Sequence, residues 1–183
     1  MTAPILVFAI GNVSRGDDAL GPELLRRLAQ CLSTQGPLAE AEFLEDFQLQ
    51  IEHAMDMQGR ELVLFVDAGM DTPAPFSFQR LQFSADPILY SHALAPSAML
   101  AVYREFYGEM PPPAFVLCIR GERFELGEPL TVAAQDGLER ACDFAMQLLS
   151  VPDVADWDRK ASGATCMPGV SRSEGGVLAD AAI

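Results

Sequence analysis

The chain has 183 residues, half of them apolar, which is enough for one domain with a substantial core. Its 12 basic and 26 acidic residues give a formal net charge of −14, which argues against nucleic-acid binding and against an anionic membrane surface. No stretch approaches the ~20 apolar residues that a membrane-spanning helix needs, and no secretory signal peptide is recognisable, so we expect a cytoplasmic protein.

Short apolar runs alternate with segments of helical periodicity over the first 150 residues. The runs predict buried strands, and the periodic segments predict amphipathic helices. This alternation indicates βαβ units, so we expect an α/β fold: a single three-layer domain with a mostly parallel twisted sheet of about five strands, helices on both faces and one antiparallel edge strand. The predicted strands are 5–10, 42–47, 62–66, 76–83 and 115–119, and the predicted helices are 23–32, 50–58, 97–106 and 132–150.

The composition changes after Ser150. Residues 151–183 are rich in Ala, Gly, Ser, Asp and Pro and show no sustained periodicity. Such a composition is typical of a flexible segment. We therefore expect residues 1–150 to form the domain and residues 151–183 to be a flexible C-terminal tail whose removal costs little stability.

Acidic side chains follow two of the predicted strands. Asp17 and Asp18 lie in the loop after the first strand, Asp67 ends the strand at 62–66, and His92 lies in a later loop. Because ligands of open α/β sheets bind at the carboxyl ends of the strands, we expect Asp18, Asp67 and His92 to meet at one edge. Carboxylates and an imidazole suit borderline divalent ions such as nickel or zinc. The pattern predicts a metal site with open coordination positions.

Each of these residues also has a structural interpretation. For Asp17 we favour the structural interpretation, in which its carboxylate accepts hydrogen bonds within the loop or caps the following helix. Asp18, Asp67 and His92 could each do the same on their own, and only their joint placement favours the metal site. The second histidine, His53, falls on a short predicted helix and is expected to face solvent.

Other common chemistries find little support. The loop at residues 11–16 lacks the G-x-G-x-x-G spacing of dinucleotide sites and the lysine of a phosphate loop. There is no H-E-x-x-H zinc-peptidase motif and no G-x-S-x-G nucleophile elbow. The four cysteines form no C-x-x-C pair, and Cys118 lies in an apolar strand where burial disfavours the thiolate, so we expect reduced thiols and no cysteine nucleophile.

The motifs resemble those of the hydrogenase maturation endopeptidases. The resemblance rests on Gly-Asn, Gly-Asp-Asp and Gly-Pro within residues 11–22, on Val-Asp-Ala at 66–68, and on Ser-His at 91–92 with a proline at 96. It covers about residues 4–150. It implies an endopeptidase, of an aspartic type with nickel-dependent recognition, that removes a C-terminal extension from the large-subunit precursor of a nickel–iron hydrogenase after nickel insertion.

The same resemblance implies the site and its partner. By motif position, Asp18, Asp67 and His92 would be both the metal contacts and the catalytic residues, with Asp18 standing where some relatives carry glutamate. The nickel would be supplied by the substrate and would not be a permanent cofactor. The expected partner is the hydrogenase large-subunit precursor, without nucleic acid or membrane, and the chain is expected to be a monomer.

Some points stay open at this level. Residues 46–53 depart from the Gly-rich turn of many relatives and resemble the branch that serves soluble, NAD-coupled hydrogenases. The general base could be Asp17, Asp18 or Asp67. Two other functions are compatible with the residues: a non-catalytic metal-checkpoint or docking protein for hydrogenase assembly, and a small-molecule hydrolase on a related α/β scaffold.

Overall fold

The computed structural model describes residues 2–35, 40–84 and 94–163 of the chain. Along these residues, strands alternate with α-helices and with two short 3₁₀ helices. The strands are β1 (Ile5–Ile10), β2 (Ala41–Asp46), β3 (Leu62–Gly69), β4 (Phe76–Arg80) and β5 (Ala114–Arg120); the α-helices are α1 (Leu20–Gln35), α2 (Pro96–Tyr107), α3 (Val132–Ser150) and α4 (Val154–Gly163); the 3₁₀ helices are Gly16–Ala19 and Ile51–Met57.

The five strands form one sheet in the order β2-β1-β3-β5-β4. The first four in this order run parallel, and β4 pairs antiparallel with β5 at the edge. The predicted α/β fold with one antiparallel edge strand is therefore confirmed. The order creates a topological switch point between β1 and β3, because the chain builds β2 on one side of β1 and β3 on the other.

Helices cover both faces of the sheet, as the sequence predicts. The face with Val7 and Leu64 packs against α1, α3 and α4, and the face with Phe8 and Phe65 packs against α2 and the second 3₁₀ helix. Successive strand side chains point to opposite faces, so a strand covered on both sides is apolar throughout. This is why β1 and most of β3 are continuous apolar runs.

The packed domain does not end at residue 150. After a short turn, α4 places Trp157 in the core, fully buried, with its ring 5.3 Å from that of Phe115. The indole Nε1 donates a hydrogen bond to the carbonyl oxygen of Leu148 (3.1 Å). The prediction of a flexible tail is therefore wrong for residues 151–163. The buried ring of Trp157 holds α4, a helix of otherwise low hydrophobicity, against the sheet. Residues 164–183 lie outside the described residues.

Smaller details also differ from the sequence-based expectations. The edge strand β4 ends at Arg80, three residues earlier than predicted. Val132, expected on the buried side of the last helix, is 84% exposed in the first turn of α3. None of the helices in the described ranges is both long enough and apolar enough to cross a bilayer.

Candidate functional site

The loop between β1 and α1 lies tightly against the ends of β1 and β3. Gly11 has a φ of +142°, and a side chain there would overlap the carbonyl oxygen of Asp18. Gly21, in the first turn of α1, packs against the carbonyl oxygens of Ile10 and Val66, and a Cβ would lie 3.1 Å from the Val66 oxygen. The glycines of the motif thus bring Asp18 to the two strands that flank the switch point.

Asp18 lies in the first 3₁₀ helix and is partly buried. Its Oδ2 accepts a hydrogen bond from the backbone N–H of Asn12 (3.1 Å). The side chain of Asn12 in turn accepts from the N–H of Ser14 (2.9 Å), which closes the turn. Burial raises the pKa of Asp18, although the Asn12 N–H and the charge of Arg15 oppose the rise.

Asp67 lies near the end of β3, on the other side of the switch point. It follows Val66, which pairs with Ala9 of β1. Its Oδ1 accepts a hydrogen bond from the N–H of Ala68 (2.8 Å). Burial raises the pKa of Asp67 to about 6, against the effect of that N–H, and the charge of Asp18 adds to the rise. The two carboxylates therefore interact across the switch point, and a cation between them would relieve their repulsion.

The described residues bring together two of the three predicted site residues. His92 lies outside the described residues. Leu94, two positions later in the chain, forms an antiparallel bridge with Leu49, just beyond the end of β2. Within the part of the chain that the structure describes, no group of three or more His, Cys, Asp or Glu side chains is arranged to hold a metal ion.

Asp17 has surroundings opposite to those of Asp18. It is fully buried, and it accepts hydrogen bonds from the N–H groups of Glu122 (2.7 Å), Arg123 (3.1 Å) and Thr131 (2.7 Å) and from the Thr131 hydroxyl (2.9 Å). Burial alone would raise the pKa of Asp17, but these donors together lower it. The structural interpretation of Asp17 is confirmed, with partners in a distant loop, and its enclosed carboxylate cannot act as a general base.

The loop of residues 121–131 is a support of the site that the sequence analysis missed. Its backbone is joined to the loop after β1 by hydrogen bonds from Asp17 N to Arg123 O (2.7 Å), from Gly16 N to Glu128 O (3.1 Å) and from Gly127 N to Ser14 O (2.7 Å). Thr131 also caps α3 by accepting from the N–H of Ala134 (3.2 Å). A threonine before a helix is the one sequence signal of this arrangement, and it reveals the cap but not the partner.

A cleft of about 540 Å³ opens beside Asp67. Asp67, Cys118 and Ser77 line it and are neighbours in register across β3, β5 and β4. The Sγ of Cys118 lies 2.9 Å from the hydroxyl oxygen of Thr72. Cys118 is only partly buried, because the cleft opens at its position in the strand.

His53 does not face solvent, contrary to the expectation. Its side chain is 14% exposed, and its ring lies 4.8 Å from that of Phe8. Its Nδ1 accepts a hydrogen bond from the N–H of Gln50 (3.0 Å), and its Nε2 lies 3.4 Å from the carboxylate of Asp46. These contacts fasten the second 3₁₀ helix to the end of β2, which is a structural role.

Comparison with known proteins supports the fold. No protein-family model matches the sequence, and no curated protein matches it significantly. Solved structures do match: the hydrogenase maturating endopeptidase HybD from Escherichia coli (24% identity, 79% of this chain and 91% of that chain, TM-score 0.63), a NiFe hydrogenase maturation protease HycI from Thermococcus kodakarensis (20%, 80% and 92%, 0.59), and an endopeptidase from Escherichia coli (25%, 80% and 93%, 0.56). The chain has the fold of the hydrogenase maturation proteases, which confirms the resemblance of the motifs at the level of the fold.

Proposed function

We propose that the protein is a hydrogenase maturation endopeptidase that removes the C-terminal extension of a nickel–iron hydrogenase large-subunit precursor after nickel insertion. The observation that carries the proposal is the pair of carboxylates, Asp18 and Asp67, which interact across the β1/β3 switch point. Ligands of open α/β sheets bind at such a point. The fold shared with solved maturation proteases adds support.

Nickel enters this proposal as part of the substrate. Burial raises the pKa of both carboxylates, and the charge of Asp18 raises that of Asp67 further, so both gain when a divalent cation approaches. His92 would be the third ligand. Two carboxylates and a neutral imidazole balance a 2+ ion and leave positions for the groups that already hold the nickel in the precursor. Recognition would thereby depend on prior metal insertion.

Peptide hydrolysis also needs a base that activates water. Before nickel approaches, Asp67 has a pKa of about 6 and is a stronger base than an ordinary aspartate; contact with nickel would lower this pKa, so Asp67 could act as the base only through an oxygen that the metal leaves open. Asp18 is the other candidate, because the oxygens of Asp17 are enclosed by their donors. The cleft beside Asp67 offers space for a peptide, and holding water and peptide together accelerates the reaction by proximity.

Processing of a nickel-loaded precursor, followed by mass spectrometry of its C-terminus, tests the proposal. The wild-type protein is expected to release the extension, whereas Asp18→Ala, Asp67→Ala and His92→Ala are expected to fold but not to process. Asp136→Ala, which changes an exposed acid on α3, is the control and should process normally. Full cleavage by the Asp67→Ala and His92→Ala variants would refute the role in reading nickel.

The same experiment separates the alternatives. A wild-type protein that binds the precursor and leaves it uncut would be the non-catalytic docking protein. Thermal stabilisation by nucleotides or other small molecules, without any effect of the precursor, would favour the small-molecule hydrolase. If the departure at residues 46–53 marks the branch for soluble NAD-coupled hydrogenases, precursors of those enzymes should be processed in preference to others. We propose that the active form is a monomer and that it acts in the cytoplasm.

A further inference from the structure

The connection after each of the four parallel strands exposes at least one large apolar side chain, and the connection after β2 also exposes Ile51 and Met55. Val13 follows β1, Phe47 follows β2, Met70 follows β3 and Leu126 follows β5, and they are 55%, 68%, 55% and 77% exposed. Single exposed apolar side chains need no explanation, but a set that repeats after each parallel strand at one edge of a sheet indicates a contact surface. We call Val13, Phe47, Met70 and Leu126 the apolar rim.

The loops that carry the apolar rim are joined to one another. Backbone hydrogen bonds run from Gly11 N to Asp46 O (3.1 Å), between the ends of β1 and β2, and from Gly127 N to Ser14 O (2.7 Å), between the loops after β5 and β1. Met70 and Leu126 line a shallow hollow of about 510 Å³ together with Phe124. Separate parts of the chain therefore carry the rim on loops at this edge of the sheet, and Met70 and Leu126 border the same hollow.

The apolar rim adjoins the two carboxylates of the candidate site. Asp18 belongs to the same β1–α1 connection as Val13, and Asp67 lies just before Met70 at the end of β3. A ligand that approaches these carboxylates from the rim side therefore meets apolar side chains first. A small polar molecule gains nothing from such surroundings, whereas a folded protein buries them on docking.

We infer that the apolar rim is the docking surface for the folded body of a protein substrate, next to the cleft for the peptide that is cut, which Met70 also lines. The inference rests on the proposed function and identifies the contact that would hold the partner. Charge complementarity indicates the chemistry of that partner, because acids outnumber bases around the rim. The exposed acids there include Glu45, Asp71, Glu122, Glu125 and Glu128, and the exposed bases include Arg15 and Arg123. The partner surface is an apolar patch flanked by basic side chains.

Matched substitutions at the two edges of the sheet test the inference. Phe47→Ser and Leu126→Ser remove rim side chains that do not line the cleft beside Asp67, whereas Phe106→Ser and Met110→Ser remove side chains that are each 61% exposed where α2 ends and β5 begins, at the opposite edge. The dissociation constant of the nickel-loaded precursor should rise by about fivefold or more for each rim variant, as for a contact residue of moderate importance. It should not change for the two controls.

The processing reaction supplies a second readout. The rim variants should raise KM and leave kcat near the wild-type value, because docking is weakened while the carboxylates are intact. Wild-type affinity in the rim variants, or equal weakening by rim and control variants, would overturn the inference but not the proposed function, provided that the wild type still processes. A wild-type dimer that the rim variants dissociate in sedimentation would assign the rim to a second copy of the chain and would overturn it too. A wild type that binds but does not cut would refute only the proposed function.

Discussion

The pocket around Asp17 and the switch point at Asp18 and Asp67 are close together, but they shift the pKa of a carboxyl group in opposite directions. In the pocket, four hydrogen bonds from the loop at 122–131 outweigh burial and lower the pKa. At the switch point, burial outweighs the few donors and raises the pKa of both acids. A satisfied carboxylate stabilises the fold, whereas an unsatisfied one costs stability until a cation or proton arrives, which is typical of functional sites.

The largest expected effect on stability comes from emptying the pocket. Asp17→Ala leaves buried N–H groups and a hydroxyl without their acceptor, so the free energy of unfolding should fall by about 3–5 kcal/mol. Urea unfolding followed by circular dichroism measures it. Asp136→Ala, at an exposed acid, should change stability by less than about 0.5 kcal/mol.

If Asp17→Ala does not fold, Asp17→Asn keeps the shape but replaces one acceptor oxygen with a donor. We expect it to fold with a smaller loss of stability and with slower processing per folded molecule, because the loop that carries Asp18 loses part of its anchor. A stability equal to that of the wild type would contradict the role assigned to the pocket.

A remote substitution separates loss of stability from loss of the site. Trp157→Ala removes a fully buried ring between α4 and the sheet and should cost about 3–5 kcal/mol. Because Trp157 contacts the end of α3 and not the carboxyl edge, processing per folded molecule should stay at the wild-type level.

A chain that ends at Ser150 should lose stability similarly. Unchanged stability of that shortened chain would mean that α4 is dispensable.

A smaller effect concerns the pH dependence of stability. The pKa of Asp67 rises from 3.8 to about 6 on folding, so ionised Asp67 destabilises the folded state above about pH 6, by at most roughly 3 kcal/mol. The penalty disappears as the pH falls below 3.8, where the carboxyl is protonated in both states. Asp67→Asn should therefore be more stable than the wild type by about 1–3 kcal/mol at pH 7.5.

Urea unfolding at a series of pH values tests this sign. The stability difference between Asp67→Asn and the wild type should stay nearly constant from pH 7.5 to about 6.5 and then shrink as the pH falls from about 6 toward 4. A difference that is the same at every pH, or that grows as the pH falls, would show that Asp67 is not the strained carboxylate of this edge.

The sequence predicts those parts of the molecule that depend on local patterns. The apolar runs of β1, β3 and β5 mark strands covered on both faces, and the loop motif at residues 11–22 places Asp18 after the first strand, so the sheet and one edge follow from them. The hydrogen-bond partners of Asp17 do not follow from the sequence, because residues 121–131 have no periodicity and approach Asp17 only in the folded chain.

Two further errors have the same origin in long-range contacts. Trp157 stabilises a helix of low hydrophobicity through contacts with β5 and α3, which composition does not reveal. His53 is packed on Phe8 of β1, which the spacing of a short helix does not reveal. Local patterns give the elements, but contacts between distant segments decide which polar side chains are enclosed.

The most direct test compares how tightly nickel-loaded and nickel-free precursors bind to the wild type and to Asp67→Ala. If the two carboxylates jointly contact the substrate's nickel, the wild type should bind the loaded precursor at least about tenfold more tightly, a difference of about 1.4 kcal/mol. Asp67→Ala should lose most of that preference while it still binds the nickel-free form like the wild type. The same preference in both proteins would contradict the account.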